Sequence, residues 1–536
     1  MSKWIRLVAT LVMVVFLLTG CSGGGFGQFL EDIFNSIAVG TATSFEDMEY
    51  VRPDVDAFEA TLATTMEMAK TETKVKTLMD SVFSLYNMYY DFYTNYSLAN
   101  IHYCMNMTDI YWNDEYSWCL ENATRIDSGL DQLLYALADS PLREKLEADE
   151  YFGEGFFDAY DGESIWDETF TALMNQEADL MNEYYDLEAS AAGVTSQAEF
   201  FNGYGYEMEQ LFVELILIRQ QIAEYAGYDS YADFAYEFYF YRDYTPAQAE
   251  AYVQQIAQEL VPLYKQLDYN VWQNLYTETT EDQVYSYLED TVSAIGGMAQ
   301  YAFNLLDAAK LYDITYSENK YGASFESFLY NYNEPFIFMC PTGYAMDQLT
   351  LVHEFGHFCN DYAVNGSIVG VDVAEVFSQG FEYLSIIYNT NGQTMAAGKM
   401  ADSLCVFVEQ SAYAAFELAI YQLEDVTVEN VRAAFANTCK TFGMGDLGID
   451  VRSYVTVPHF FIAPMYVISY VVSNDVALQI YQAEQAEAGS GVKLWEDGLF
   501  TMQEGLMGFV NEMGFVSPFD EGRVASIRDT FKSILG

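Results

Sequence analysis

Apolar residues recur at steps of three and four along much of the chain, the signature of helices with one buried face. The clearest run is Val75 to Phe92, where Val75, Leu78, Val82, Leu85, Tyr89 and Phe92 share a stripe. Leu211, Leu215, Ile218, Ile222 and Tyr225 repeat the pattern. A third helix is predicted to start at Thr245-Pro-Ala-Gln248. Thr245 caps, Pro246 suits the first turn, and Gln248 completes a capping box. Val253, Ile256, Leu260, Leu263 and Leu267 continue it, with Pro262 inside the run, so a kink or break is predicted there. The strongest strand signal is Pro335-Phe-Ile-Phe-Met-Cys340, a short apolar run fenced by prolines. That fencing suits an edge strand, whose unpaired backbone groups would bind an extended peptide. An ordinary buried strand fits the pattern equally well.

Just after that strand, Leu351-Val-His-Glu-Phe-Gly-His-Phe358 contains an H-E-x-x-H motif at His353, Glu354 and His357. Residues four apart lie on one helix face, so the two imidazoles can hold one cation. Glu354, beside the first of them, can act on a metal-bound water. The chain has only four histidines, His102, His353, His357 and His459, so ligand spacing between two of them carries weight. A catalytic zinc usually takes three protein ligands and leaves the fourth position to water. Val371 to Tyr383 reads as a second helix, and Glu375 is its best candidate for the third ligand. Ser378, Gln379 and Glu382 follow on or near the same face and suit residues that orient the ligands. In so acidic a chain, a solvated acidic face is the plainer alternative. Further on, His459 lies between Pro458 and Pro464 in what reads as a loop, and Tyr466 and Tyr470 follow at helical spacing. These groups can donate hydrogen bonds to a developing oxyanion. Ordinary packing is the alternative for two of 45 tyrosines.

The chain opens with Lys3 and Arg6 ahead of an apolar run, Leu7 to Leu18. Its charge, length and small-residue exit predict a signal peptide over 1–20. Leu18-Thr-Gly-Cys21 resembles the bacterial lipobox, which makes Cys21 the expected lipidation site. Residues 21–45 read as a tether, rich in glycine at its start. The expected location is extracytoplasmic, with the protein lipid-anchored to the bacterial cell membrane. Export permits disulfides, with Cys104 and Cys119 the pair closest in sequence. Buried, unpaired cysteines are the more ordinary expectation.

Removing Lys3 and Arg6 from 22 basic and 80 acidic residues leaves 20 against 80, a formal charge of −60. Such a surface excludes nucleic acid and anionic lipid as expected partners and favours cationic peptides. Solubility alone accounts for the charge equally well. The acidity is not a disordered tail, because 51% of residues are hydrophobic and 17% aromatic. The 516 residues left of 536 exceed one ordinary core. A helical N-terminal lobe over 46–200 and a catalytic domain over 201–536 are expected.

Taken together, these stretches resemble the zinc metallopeptidases of the thimet oligopeptidase and oligoendopeptidase F family, closest to the latter. The matching segments are Lys320-Tyr-Gly-Ala323, the Pro335–Cys340 strand and Thr350 to His357. They continue through Ala374 to Gln379 with Glu382, and Pro458 to Tyr466 with Tyr470. The match runs over about residues 205 to 530; the N-terminal third is similar only in being helical. The resemblance implies a mainly α fold, a two-lobed helical ellipsoid with a deep substrate channel and a small β edge strand beside the zinc helix. It implies one zinc held by His353, His357 and Glu375, with Glu354 as the base. It implies that His459 and a following tyrosine bind the carbonyl region, and that Gly322, Ala323, Phe336, Ile337 and Phe338 bind substrate. The chain departs from the family in having Asn360 where a histidine is usual. Its interval of 18 positions from His357 to Glu375 is shorter than usual. A tyrosine of the thimet branch aligns with Val467, which leaves Tyr466 and Tyr470 both open for the oxyanion role.

The function expected is internal cleavage of oligopeptides by a zinc endopeptidase. A peptide-binding lipoprotein without turnover, or another glutamate-zinc peptidase such as an aminopeptidase, are the alternatives. The intact ligands and base weigh against the first. The absence of a G-x-M-E-N segment weighs against one large aminopeptidase family.

Overall fold

The computed structural model of the protein describes residues 42–535, apart from 149–150, 163–164, 192–193, 195, 365, 367–368, 502 and 504. The expected signal peptide, Cys21 and all but the end of the tether lie outside the described residues.

The elements used below are, in chain order, helices α1 (Val55–Thr71), α2 (Val75–Met105), α3 (Ile110–Ala138), α4 (Glu168–Ala191), α5 (Gly205–Tyr225) and α6 (Pro246–Glu259). Strands β1 (Tyr312–Asp313), β2 (Ser324–Leu329) and β3 (Glu334–Met339) follow. Helices α7 (Met346–Val364), α8 (Val371–Tyr388), α9 (Ser411–Ile420), α10 (Pro458–Ile462) and α11 (Ile468–Ala486) complete the set. The fold is mainly α. The periodic stripes become buried faces: Leu78, Val82, Leu85 and Phe92 are buried on α2, and Leu211, Leu215, Ile218 and Ile222 on α5. At α6 both halves of the Thr245–Gln248 capping box form. That helix ends at Glu259, and Pro262 sits in the first turn of the short helix that follows.

The chain separates into two compact units, neither of them one continuous stretch. The first comprises Met1–Trp166, Thr277–Val369 and Val492–Met502. The second comprises Asp167–Tyr276, Gly370–Gly491 and Gln503–Gly536. The division expected at residue 200 falls inside the second unit.

In the first unit, α1, α2 and α3 pack around Phe58, Leu62, Val82, Leu85, Ile126 and Leu130. Gly129 permits the approach of α3 to α1, because a Cβ there would lie 2.8 Å from Leu62 Cδ2 and 3.0 Å from Phe58 Cε1. The sheet order is β1-β3-β2, with β1 parallel and β2 antiparallel to β3. The predicted edge strand is therefore the central one. Pro335 is tolerated there because β1 is short: it pairs only with Ile337 and Phe338, while Pro335 lies beyond its reach. Phe336, Ile337 and Phe338 are fully buried. They are core residues, on a strand that has a neighbour on each side.

Buried ion pairs brace the second unit. The guanidinium of Arg219 on α5, fully buried, donates to Glu177 Oε1 at 2.6 Å and to the Phe460 carbonyl at 2.9 Å, and also to the Phe461 carbonyl. Arg523 donates to Asp475 Oδ1 at 2.6 Å, and Tyr252 donates to Asp475 Oδ2 at 2.8 Å. Arg219→Met is expected to leave Glu177 a buried, uncompensated charge and two carbonyls without donors. Breaking such a pair costs about 3–5 kcal/mol. Urea denaturation would read this as a lower midpoint at unchanged slope. The six described cysteines are all unpaired, and Cys104, Cys119, Cys359 and Cys439 are buried, as small apolar side chains in the core.

Candidate active site

In the first unit the H-E-x-x-H motif lies on α7, as its spacing predicts. Leu351, Val352, Phe355, Phe358 and Cys359 are fully or almost fully buried in the unit's core. That packing fixes the helix's rotation and leaves His353 and His357 half-buried on the opposite side, their ring centroids 5.0 Å apart. Glu354 is buried between these faces. Beside it, Glu326 of β2 is held well above the usual carboxylate range, first by burial, then by Asp361 and Glu354. A neutral Glu326 spares the motif a further negative charge. Lys320 anchors the turn ahead of β2. Its ammonium is buried and donates to Asp313 at 2.9 Å and to the carbonyls of Thr315 at 2.7 Å and Met339 at 2.9 Å. Gly322 in that turn is exposed, Ala323 half-buried.

In the second unit Glu375 lies on α8, almost fully buried. Both of its carboxylate oxygens have donors. Tyr466 donates to Oε1 at 2.9 Å, and Ser378 donates to Oε2 at 3.1 Å. Outer-shell partners orient a metal-ligating carboxylate in this way, so Glu375 is held as a ligand would be. Gln379 donates to the Tyr470 carbonyl at 3.3 Å and to Ser473 Oγ at 3.0 Å, joining α8 to α11. Glu382 is paired with buried Lys399 at 2.6 Å, so it braces the helix.

His459 sits on the short helix α10, where a loop was expected. Pro458 supplies that helix's first turn, the position proline favours. Tyr466 precedes α11 and Tyr470 lies within it. His459 Nε2 and Tyr470 Oη are 3.3 Å apart. Burial lowers the His459 pKa, with Glu375 opposing, so the ring is neutral at neutral pH. Burial, then Glu375, holds the Tyr466 phenol well above its ordinary value. The fourth histidine, His102, stacks on Trp112 at 4.2 Å and is structural.

Sequence reasoning missed Arg242, Asp372, Glu417, Arg219 and Glu326. Their periodic neighbours signal helices and strands, but their partners are far away in sequence. The one available signal is that Arg219 interrupts the apolar stripe of α5 between Ile218 and Ile222.

Among the described residues, His353 and His357 each offer a ring nitrogen and Glu375 a carboxylate oxygen, one ligand atom apiece, as candidates to hold a metal ion. Two imidazoles and one carboxylate are a hydrolytic zinc donor set, so the residues present fit the group.

Residues 45–163 match the Peptidase M3 N-terminal domain. This corrects the expectation that the N-terminal third is similar only in being helical. No curated protein sequence matches the chain. Two solved structures provisionally named oligoendopeptidase F are similar in fold. One has a TM-score of 0.81 at 19% identity, covering 92% of this chain and 99% of its own. The other, from Bacillus anthracis str. Ames, has a TM-score of 0.77 at 19% identity, covering 92% and 98%. A PZ peptidase A with an inhibitor has a TM-score of 0.81 at 16% identity, covering 92% and 99%. N-terminal domain and fold together define a peptidase. Residues 45–163 are similar to the N-terminal domain of M3 peptidases, and the fold is that of the oligoendopeptidase F structures.

Proposed function

We propose that the protein is a zinc-dependent endopeptidase that cuts internal bonds of short peptides outside the cytoplasmic membrane. One zinc per chain would be held by His353, His357 and Glu375, and the lipid at Cys21 would tether the enzyme to the membrane. The reading is carried by that donor set, with both oxygens of Glu375 already held by Tyr466 and Ser378. When bound, zinc lowers the pKa of a coordinated water and polarises a carbonyl. Glu354 takes the proton of the attacking water and passes it to the leaving amine. The neutral ring of His459 and the hydroxyl of Tyr470 are the donors for the oxygen that gains charge. Tyr466 is committed to Glu375 and keeps that carboxylate oriented.

The test is an assay of internally quenched peptides of graded length, with products identified by mass spectrometry. Internal cuts in short peptides support the proposal. Strict one-residue trimming points to an exopeptidase, and binding without cleavage points to a peptide-binding lipoprotein.

The two tyrosines separate by their expected effects. Tyr470→Phe should lower kcat and kcat/KM together by about tenfold to a thousandfold, with zinc retained. Tyr466→Phe should instead weaken zinc binding by about ten- to a hundredfold, since it removes an outer-shell donor. Zinc titration beside steady-state kinetics tells these apart. Equal zinc affinity in both variants would refute the division of roles.

The charge of −60 adds a rate effect. Cationic peptides should be captured faster than acidic ones, and the ratio of their kcat/KM values should shrink as salt rises. A ratio that ignores salt would assign the charge to solubility alone.

A further inference from the structure

One buried side chain in the second unit touches three separate pieces of the candidate machinery. The side chain of Arg242 is fully buried, with its guanidinium carbon 4.3 Å from the ring centre of Tyr236 and 4.5 Å from that of Phe240. Its Nε donates to Asp372, 3.2 Å from Oδ2, in the first turn of α8 and three residues before Glu375. Its Nη1 donates to the Met465 carbonyl at 2.9 Å. Its Nη2 donates to Ser469 Oγ at 2.8 Å, at the start of α11. Planarity makes these three directions rigid relative to one another, as a lysine could not.

Met465 is the second half of the observation. Its φ is +69°, a left-handed conformation that a residue with a Cβ adopts only when its surroundings hold it there. Both of its backbone polar groups are clamped. The carbonyl is held by Arg242, and the N–H donates to Glu417 Oε1 at 2.7 Å. Glu417 lies on α9, and burial raises its carboxyl to about 8. Tyr466 follows this residue directly, and His459 and Tyr470 flank the turn. A relaxed Met465 would swing all three away from Glu375.

We propose that Arg242 and Glu417 are positioning residues, which hold Met465 in its left-handed turn and register His459, Tyr466 and Tyr470 against the helix of Glu375. Neither touches substrate. They act through the geometry of the oxyanion donors, so the inference rests on the zinc-peptidase reading for its effect on rate. Misplacement of a reacting group by about 1 Å can cost about a hundredfold. The loss belongs in kcat, because these donors act on the charge that develops during reaction.

The experiment compares Arg242→Lys, Glu417→Leu, Glu417→Gln and Ser469→Ala in the full chain. Measured at saturating zinc, Arg242→Lys and Glu417→Leu should lower kcat by about tenfold to a hundredfold with KM little changed. Glu417→Gln keeps an acceptor for the Met465 N–H and should recover most of what Leu loses. Ser469→Ala removes one contact and little volume, and should lower kcat by about two- to tenfold even if the larger changes unfold the protein. A change confined to KM at saturating zinc, or an unchanged kcat in folded Ser469→Ala, would each overturn the proposal. If the zinc-loaded wild type cleaves no peptide, the functional reading fails separately. The clamp is then read on the zinc-free protein by the His459 Cε1–H NMR signal, assigned by its loss in His459→Gln. That signal should move in Ser469→Ala; an unmoved signal overturns the clamp.

Discussion

Glu354→Gln is expected to abolish nearly all turnover while the protein keeps its zinc and its stability. The amide is almost isosteric with the carboxylate, so α7 should pack unchanged around Val352, Phe355 and Phe358. The metal ligands proposed are the neighbouring imidazoles and Glu375, so metal content should stay at one per chain. What disappears is a group that can accept the water's proton and return it to the leaving amine. General acid–base catalysis by a positioned side chain is worth about a hundredfold to ten-thousandfold. The loss should fall on kcat and kcat/KM alike, because substrate binding does not use that proton. Purified variant, metal analysis and the quenched-peptide assay suffice. A metal-replete variant with near-normal kcat would eliminate Glu354 as the base.

His353→Ala is expected to remove activity by another route, through the metal itself. Two donors remain, one imidazole and one carboxylate, where a catalytic zinc needs three. Loss of an outer-shell partner costs about ten- to a hundredfold in metal affinity, and loss of a direct ligand should exceed that. In a chelator-buffered zinc titration the variant should stay empty at concentrations that fill the wild type. Wild type stripped of metal should match it in activity and regain turnover when zinc returns, whereas the variant should not. Metal binding also stabilises whatever state binds it, so the wild type's melting temperature should rise with zinc more than the variant's. Full zinc retention in His353→Ala would refute the ligand assignment.

Local signals in the sequence proved legible where the physics is local. The stripe from Val75 to Phe92 does mark α2, although the helix runs on to Met105. The Thr245 box forms because both of its bonds lie within four residues. Pro262 breaks its helix for steric reasons that need no tertiary context. The H-E-x-x-H spacing likewise puts two imidazoles on one face. The errors arise where a distant element decides. Pro335 reads as an edge signal, but the length of β1 determines whether its missing N–H matters, and β1 has only two residues. Pro458 and Pro464 read as loop punctuation, yet the first starts α10. The supporting charges were invisible for the same reason. Arg242 and Asp372 are 130 positions apart, and Arg219 is 241 from Phe460. Nothing in the composition around them announces a partner at such range.

The interleaving of the two units has a bearing on when the enzyme can first act. Asp475 lies on α11, the helix of Tyr470, and is completely buried. Its ion-pair partner, Arg523, comes from the segment after 503, which the ribosome makes later. Until that segment arrives, α11 carries a carboxylate that cannot be buried without a heavy electrostatic penalty. The hydroxyl of Tyr252 alone does not neutralise it. The tyrosine helix therefore settles late, after the histidines of α7 have long been synthesised. A chain interrupted before Arg523 lacks a settled helix under Tyr470.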